Sequence, residues 1–288
     1  MILKAPGRAL FSLCATAALA TGLVACNNAA TQSNAVAPAP AAEVHPTVAE
    51  IAAEAAMEDG FSGDFGVVVI DGTGTYKAGT LTTTNAWSTI KVPIVVAAID
   101  ANPDLADSDL VEATLRWSDN GTAWTLWKTL GSTPEARAEA VEDILAATGD
   151  TSTKVKVAPD EPYGATQWSL HHQARFMSNL RCLDNADVVL DYMGDVIDEQ
   201  RWGLGQFRDA DFKGGWGPDD DGTYQARQMG IVPAKDGGDI TIVLAANVES
   251  EAYREDAEDA LTRAAKAMRP YVKPVSYTHL RAHETPEH

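Results

Sequence analysis

The chain is 288 residues long, with 45% hydrophobic and 22% charged residues. This composition argues against wholesale disorder and provides enough apolar mass for one substantial core, or for a core split between two lobes. The formal net charge is −19. So acidic a chain argues against nucleic acid as a partner and against anionic membranes, because both need clustered Lys and Arg.

The N-terminus has the composition of an export signal. A short basic region precedes an apolar run over residues 9–24, which ends in small residues before Cys26. This pattern resembles a bacterial lipoprotein signal, and the run is too short and Ala-rich to predict a spanning helix. The resemblance implies a signal peptide over residues 1–25 and lipidation of Cys26. An ordinary secretory signal cleaved near Ala25 is the alternative.

A lipidated Cys26 would place the protein at the outer face of the cytoplasmic membrane or cell envelope, touching the membrane only through its lipid anchor. Residues 26–45 are rich in Ala, Asn, Ser and Pro and predict a flexible tether. We expect the catalytic domain to span residues 46–274. Residues 275–288 resemble a translated sequencing adapter, so we interpret them as a non-native tail and leave them out of the fold prediction.

Hydrophobic periodicity predicts helices at both ends of the folded body, strands next to them and a helical block between. In chain order, the predicted elements are a helix at 47–57, strands at 65–70 and 76–81, helices at 90–99, 105–115, 122–130, 133–147, 169–180 and 186–197, strands at 211–216, 223–232 and 239–248, and a helix at 251–268. This order predicts an α+β fold. We expect an antiparallel sheet flanked by helices, assembled from both ends of the chain, with an inserted all-helical lobe.

The first candidate catalytic motif is Ser88-Thr89-Ile90-Lys91, at the entry to an apolar helix. Residues three apart lie on one helical face, about a turn from each other. Burial lowers the pKa of a lysine, and a neutral amine can take the proton of a nearby serine to create a nucleophile. Lys91 is the only charged residue between positions 87 and 99. A helix-capping serine with an exposed lysine is the structural alternative.

Two further short motifs follow along the chain. Ser118-Asp119-Asn120 comes after a predicted helix, and Lys213-Gly214-Gly215 lies on a predicted strand that leads to a hairpin. Each has an ordinary structural explanation, because Ser, Asp and Asn favour turns and glycine weakens strand ends. Their order and their predicted structural contexts carry more weight than any one motif.

The three motifs together resemble those of the serine β-lactamase and penicillin-binding protein superfamily. Its members carry Ser-x-x-Lys, then Ser-Asp-Asn, then Lys-Thr/Ser-Gly. Here the first motif follows the early strands, the second lies in the helical block and the third lies on a late strand, as in that superfamily. The resemblance covers about residues 46–270 and implies a class A β-lactamase-like serine hydrolase of the cell envelope.

The resemblance also implies a role for each motif residue. Ser88 is expected to attack an amide carbonyl, with Lys91 as its general base or part of the proton relay. Ser118 is expected to pass protons toward the leaving nitrogen. Asn120 would hold the acyl-side amide of the substrate, and Lys213 would add positive charge beside its carboxylate.

The third motif departs from the superfamily pattern at Gly214, where the usual hydroxyl is absent. Gly215 would let the substrate approach the strand, and the backbone N–H groups of Ser88 and Trp216 would form an oxyanion hole. Arg227 is a candidate to compensate for the missing hydroxyl, because folding the hairpin brings it roughly opposite residues 212–213. A guanidinium there could grip a carboxylate. An exposed strand arginine, or a partner for nearby acids, is the alternative.

A second departure concerns release of the acyl group. Class A β-lactamases carry a Glu-x-x-Leu-Asn segment whose glutamate activates the hydrolytic water. Between residues 149 and 167 the only acids are Asp150, Asp160 and Glu161, and the sequence around Glu161 does not match that segment. This departure predicts slow release of the acyl group, as in a penicillin-binding protein.

The sequence therefore predicts an active-site-serine acyl-transfer enzyme that acts on a D-alanyl peptide of peptidoglycan or on a β-lactam, with no cofactor and no metal. Two alternatives stay open. One is a class A-like β-lactamase with an unrecognised deacylation base, and the other is a degenerate lipoprotein that only binds cell-wall ligands.

Two other features have ordinary interpretations beside their functional ones. Trp87, Trp117 and Trp216 each adjoin one of the motifs, and are equally candidates for cleft walls and for core residues. The run Asp219-Asp220-Asp221-Gly222 lacks the spacing and closing glutamate of a calcium loop, so it predicts a hairpin turn.

Overall fold

The structure, a computed structural model, describes residues 46–157 and 163–273. The signal peptide with Cys26, the tether and the tail lie outside the described residues, as do Asp160 and Glu161. Within the two described ranges, no helix is both long enough and apolar enough to cross a bilayer.

The strands form one large and one small antiparallel sheet. In chain order they are β1 (Gly63–Ile70), β2 (Thr75–Gly79), β3 (Thr83–Asn85), β4 (Gln167–Ser169), β5 (Asp211–Pro218), β6 (Tyr224–Pro233) and β7 (Asp239–Val248). The large sheet has the order β2-β1-β7-β6-β5, and β3 pairs with β4 alone. Because β1 pairs with β7, strands from the two ends of the chain meet in the middle of the sheet.

Eight α-helices surround the large sheet in the described part of the chain. They are α1 (Val48–Ala56), α2 (Lys91–Ala101), α3 (Asp109–Arg116), α4 (Asn120–Thr129), α5 (Pro134–Ala147), α6 (Leu170–Asn179), α7 (Ala186–Gly194) and α8 (Arg254–Ala267). Several begin at a side-chain cap. In α1, Thr47 and Glu50 form a reciprocal capping box, which satisfies backbone N–H groups that have no partner inside the helix.

The large sheet is buried on both faces, because successive side chains of a strand point to opposite sides. Val67 and Val69 of β1 belong to the apolar cluster that contains α1 and α8. Val68 between them belongs to the cluster formed with α2 to α7. The helices from the chain ends therefore cover one face, and the inserted helical lobe covers the other.

The α+β fold predicted from the sequence is confirmed, and the differences are local. The helix predicted to begin at Leu105 begins at Asp109, because the hydroxyl of Ser108 caps it. Strands β3 and β4 were not predicted, since three residues are too few to show an alternating pattern.

Candidate active site

Residues of the first two sequence motifs, and the residue that follows the third, line one cavity of about 730 Å³. Ser88 and Lys91 of the first motif and Asn120 of the second line it, together with Trp216, which follows the third. The structure therefore brings together residues that lie more than a hundred positions apart in the chain.

Ser88 lies on a 3₁₀ turn, Trp87–Ile90, that leads directly into the buried helix α2. Trp87 has a φ of 47°, a left-handed conformation that is costly for a residue with a side chain. Two hydrogen bonds hold the turn in place. Thr89 Oγ1 donates to the carbonyl of Ala86 at 2.5 Å, and Ala86 N–H donates to the carbonyl of Thr166 at 2.7 Å. The nucleophile candidate is thus held on a strained, well-anchored turn.

The edge strand β5 passes very close to this turn at Gly215. A Cβ atom on Gly215 would lie 2.7 Å from the Ser88 nitrogen and 3.0 Å from the Thr89 nitrogen. Contacts that short are forbidden to a side chain, so the glycine allows the strand backbone to pack on the serine turn. In this structure Gly215 serves the approach of the protein's own backbone.

The ammonium group of Lys91 is buried and fully hydrogen-bonded. It donates to the Ser118 carbonyl at 2.6 Å, to Ser118 Oγ at 3.3 Å and to Asn120 Oδ1 at 2.6 Å. Burial lowers the pKa of Lys91 to about 8, and the nearby Asp119 carboxylate partly opposes that shift. Ser88 Oγ has no hydrogen-bond partner among the described residues, so the Lys91 amine and the Ser88 hydroxyl share the cavity without a direct bond.

Ser118 connects the two lysines of the site. Lys213 Nζ donates to Ser118 Oγ at 2.8 Å and to the Gly214 carbonyl at 3.0 Å. Burial, together with the positive charge of Lys91, lowers the pKa of Lys213 well below its usual value. Because both amines donate to Ser118 Oγ, the hydroxyl proton of Ser118 remains available for a third group.

Asp119 and Asn120 have different tasks. Asp119 caps α4, and its Oδ1 accepts from the Thr122 N–H at 2.7 Å. Asn120 turns its Oδ1 to Lys91, which leaves its Nδ2 group as the donor available to a ligand in the cavity.

The position predicted for Arg227 is wrong. Arg227 pairs with Gly215, not with residues 212–213, and its guanidinium is fully buried beneath β3 and β4. It donates to the carbonyls of Thr84 at 3.0 Å, Asn85 at 2.8 Å and Trp168 at 3.3 Å, and also to Gln173 Oε1. A guanidinium committed to these acceptors does not reach a substrate carboxylate; it ties the sheet to the strand that precedes the serine turn.

Several residues of the cavity wall are not predictable from the sequence motifs. Trp124 and Tyr163 line the cavity beside Trp87 and Trp216, whereas Trp117 is 46% exposed and packs against Arg116. No sequence signal marks Trp124 or Tyr163, because neither adjoins a motif.

Asp219 also lines the cavity, as does its neighbour Asp220. The hairpin turn predicted here is present, with Asp219 N–H bonded to the Thr223 carbonyl at 2.7 Å. A turn pattern predicts where the chain reverses and leaves open which side chain faces a cavity.

The sheet, the inserted helical lobe and the serine turn at their junction define a serine β-lactamase-like fold. A class A β-lactamase from Mycobacterium abscessus is similar with a TM-score of 0.58 and 16% identity, over 77% of this chain and 100% of that one. A β-lactamase from Chitinophaga pinensis has a TM-score of 0.59 and 19% identity, over 77% and 96%. A β-lactamase from Xanthomonas campestris has a TM-score of 0.57 and 18% identity, over 78% and 98%. No protein-family model and no curated protein matches the sequence.

The close approach at Gly215 yields a stability prediction. We expect Gly215→Ala to lower the free energy of unfolding by about 1–3 kcal/mol, because the methyl group must displace backbone atoms. Gly214→Ala on the same strand is the matched control, since its nearest neighbours would be side-chain atoms at ordinary contact distance, Trp202 at 3.4 Å and Gln228 at 3.7 Å. Urea denaturation of both variants measures the difference. Equal stabilities for the two variants would contradict the close approach.

Proposed function

We propose that this chain is an active-site-serine acyl-transfer enzyme, with Ser88 as nucleophile and a D-alanyl peptide of peptidoglycan or a β-lactam as substrate. The observation that carries the proposal is the position of the Ser118 hydroxyl, which bonds to both Lys91 and Lys213 behind the cavity that Ser88 lines. The β-lactamase-like fold supports the same class of reaction.

Acylation would begin with proton transfer from Ser88 to neutral Lys91, while Ser88 Oγ attacks the substrate carbonyl. The backbone N–H groups of Ser88 and Trp216 would stabilise the oxyanion. As the carbon–nitrogen bond breaks, Ser118 would donate its proton to the leaving nitrogen, and charged Lys91 would reprotonate Ser118. The products are a Ser88 ester and a free amine, and Lys91 returns to its neutral form.

The negative charge of the substrate would provide a partner for Lys213. A D-alanyl peptide and a β-lactam both carry a carboxylate close to the reactive amide. Lys213 is buried, and no described carboxylate forms an ion pair with it. A substrate carboxylate next to it would offset the desolvation of the ammonium form and favour its protonation.

We further propose that the acyl group leaves slowly. Of the three acids between residues 149 and 167, only Asp150 lies in the described part of the chain. Its carboxylate is buried and accepts hydrogen bonds from the Trp168 indole N–H at 2.9 Å and the Thr153 N–H at 3.0 Å. A carboxylate held in this way is not free to activate water in the cavity. This inference favours a penicillin-binding role over an efficient β-lactamase.

Incubation with a fluorescent penicillin tests the proposal. We expect stable covalent labelling of the protein and no labelling of Ser88→Ala. Ser178→Ala is the matched control, because that hydroxyl only bonds to the Arg175 carbonyl on α6 and should leave labelling unchanged. Gel fluorescence and intact mass spectrometry give the readout.

Each other outcome of this experiment has a definite meaning. Rapid hydrolysis of the penicillin without accumulation of the adduct would support the class A-like β-lactamase alternative. Labelling that persists in Ser88→Ala would refute Ser88 as the nucleophile. The absence of both labelling and hydrolysis would favour the alternative of a lipoprotein that only binds cell-wall ligands.

The pKa of Lys91 predicts a pH dependence of acylation. Because burial brings this pKa down to about 8, the neutral fraction of Lys91 grows as the pH rises through that value. We expect the acylation rate constant to increase about tenfold per pH unit below the pKa and to level off above it. Stopped-flow measurement with the fluorescent penicillin gives the profile. Lys128→Ala, on the exposed side of α4, should retain the profile, and a flat profile in the unmodified protein would exclude Lys91 as the base.

For residues 1–45 we propose export and anchoring of the protein through a lipid on Cys26. Metabolic labelling with an alkyne-tagged fatty acid in a bacterial host should mark the protein and not Cys26→Ala. Cys182→Ala is the matched control, because Cys182 is an exposed free thiol of the folded body. Fatty-acid labelling of Cys26→Ala at the normal level would rule out this anchor.

A further inference from the structure

We propose that Asp219 forms a subsite for a positively charged group on the acyl side of the substrate. This inference rests on the proposed function, since it extends the same cavity beyond Ser88. The ligand class is an amide or β-lactam whose acyl side chain carries an ammonium group.

The direction of β5 places Asp219 on the acyl side. Lys213, the expected carboxylate partner, lies near the start of the strand, and Gly215 packs on the serine turn. Asp219 follows the last residue of the strand. A strand rises about 3.3 Å per residue, so Asp219 lies roughly 10 Å beyond Trp216 on the side away from Lys213.

Asp219 is also linked to the serine turn through side chains. Trp87, next to Ser88, donates its indole N–H to Gln225 Oε1 at 3.3 Å. Gln225 Nε2 donates to one Asp219 oxygen, and Asn85 Nδ2 donates to the other at 2.6 Å. Asn85, Trp87, Ser88 and Asp219 all line the cavity.

The carboxylate of Asp219 is held in place without a balancing charge. Its two side-chain donors are neutral amides that are 7% and 5% exposed, so they cannot easily move away. No described Lys, Arg or His forms an ion pair with Asp219. Burial raises the pKa of Asp219, and repulsion by Asp221 adds to that effect. Two hydrogen bonds leave further lone pairs free, so a ligand cation would supply the missing partner.

The remaining cavity wall allows a cation in this position. The faces of aromatic rings attract cations, and Trp87 and Trp216 line the same cavity. Lys154 and Lys156 also reach the cavity, from the segment after α5. The charge of Lys154 is compensated by Glu142, which lies 2.5 Å from its Nζ. The ion pair of Lys154 with Glu142 therefore lessens the competition of this lysine with a ligand cation for Asp219.

Three penicillins with a common nucleus test the subsite. Ampicillin has an ammonium group on its acyl side chain, benzylpenicillin has no charge there and carbenicillin has a carboxylate. We expect Ser88 to be acylated faster by ampicillin than by carbenicillin, in competition with fluorescent penicillin. The ratio should fall about three- to tenfold in Asp219→Asn, the range for one partly screened ion pair. Asp221→Asn removes the same charge from the exposed part of the turn and should keep the ratio.

An unchanged ratio in folded Asp219→Asn would overturn the subsite, even if all three rates fell together, because equal losses indicate a purely structural role. If Asp219→Asn does not fold, the unmodified protein provides a second measurement. Added salt screens charge interactions, so the ampicillin-to-carbenicillin ratio should shrink with ionic strength. A ratio that does not depend on salt would overturn the subsite as well.

Equilibrium binding to Ser88→Ala separates this inference from the proposed function. Calorimetry with the same three penicillins needs no acylation. If Ser88→Ala prefers ampicillin while fluorescent penicillin never labels the unmodified protein, the catalytic proposal is overturned and the subsite is kept. Equal affinity for all three compounds would overturn the subsite, whatever the unmodified protein does with fluorescent penicillin.

Discussion

The site depends on two buried amines that share one hydroxyl group. Lys91 and Lys213 both donate to Ser118 Oγ, and no described carboxylate forms an ion pair with either lysine. Removing an ammonium group from water is costly, and a second positive charge nearby adds to the cost. The fold therefore lowers both pKa values, which is the condition under which lysine can act as a base near neutral pH.

The surrounding structure has to keep these groups in place against that cost. Arg227 and Gln173 contribute a buried polar network beneath the serine turn, in which Gln173 Nε2 donates to Thr89 Oγ1 at 2.8 Å. Arg227 connects β6 with the carbonyls of β3 and β4. The strained backbone at Trp87 persists because such contacts over-determine the conformation of the serine turn.

The fold was largely predictable from periodicity and helix-capping residues. The short apolar runs in β1 and β7 are strong local signals, and Thr133 before Pro134 at the start of α5 is a pattern typical of a helix N-terminus. The short strands β3 and β4 were not predictable in this way, because their pairing is set by contacts between residues more than eighty positions apart. The register of Arg227 was wrong for a related reason: a hairpin can be folded in more than one alignment, and packing selects one.

For the candidate site, sequence alone was enough for the residue types: a serine and a lysine on one helical turn, a second serine near an asparagine, and a lysine before two glycines. These are local patterns that the sequence shows directly, but each of them also has an ordinary structural explanation. Tertiary structure alone decided that Ser118 lies between the two lysines, that Gly215 admits the serine turn and that Asp219 faces the cavity. Those relations depend on long-range packing and on desolvation, and both arise only when distant segments of the chain come together.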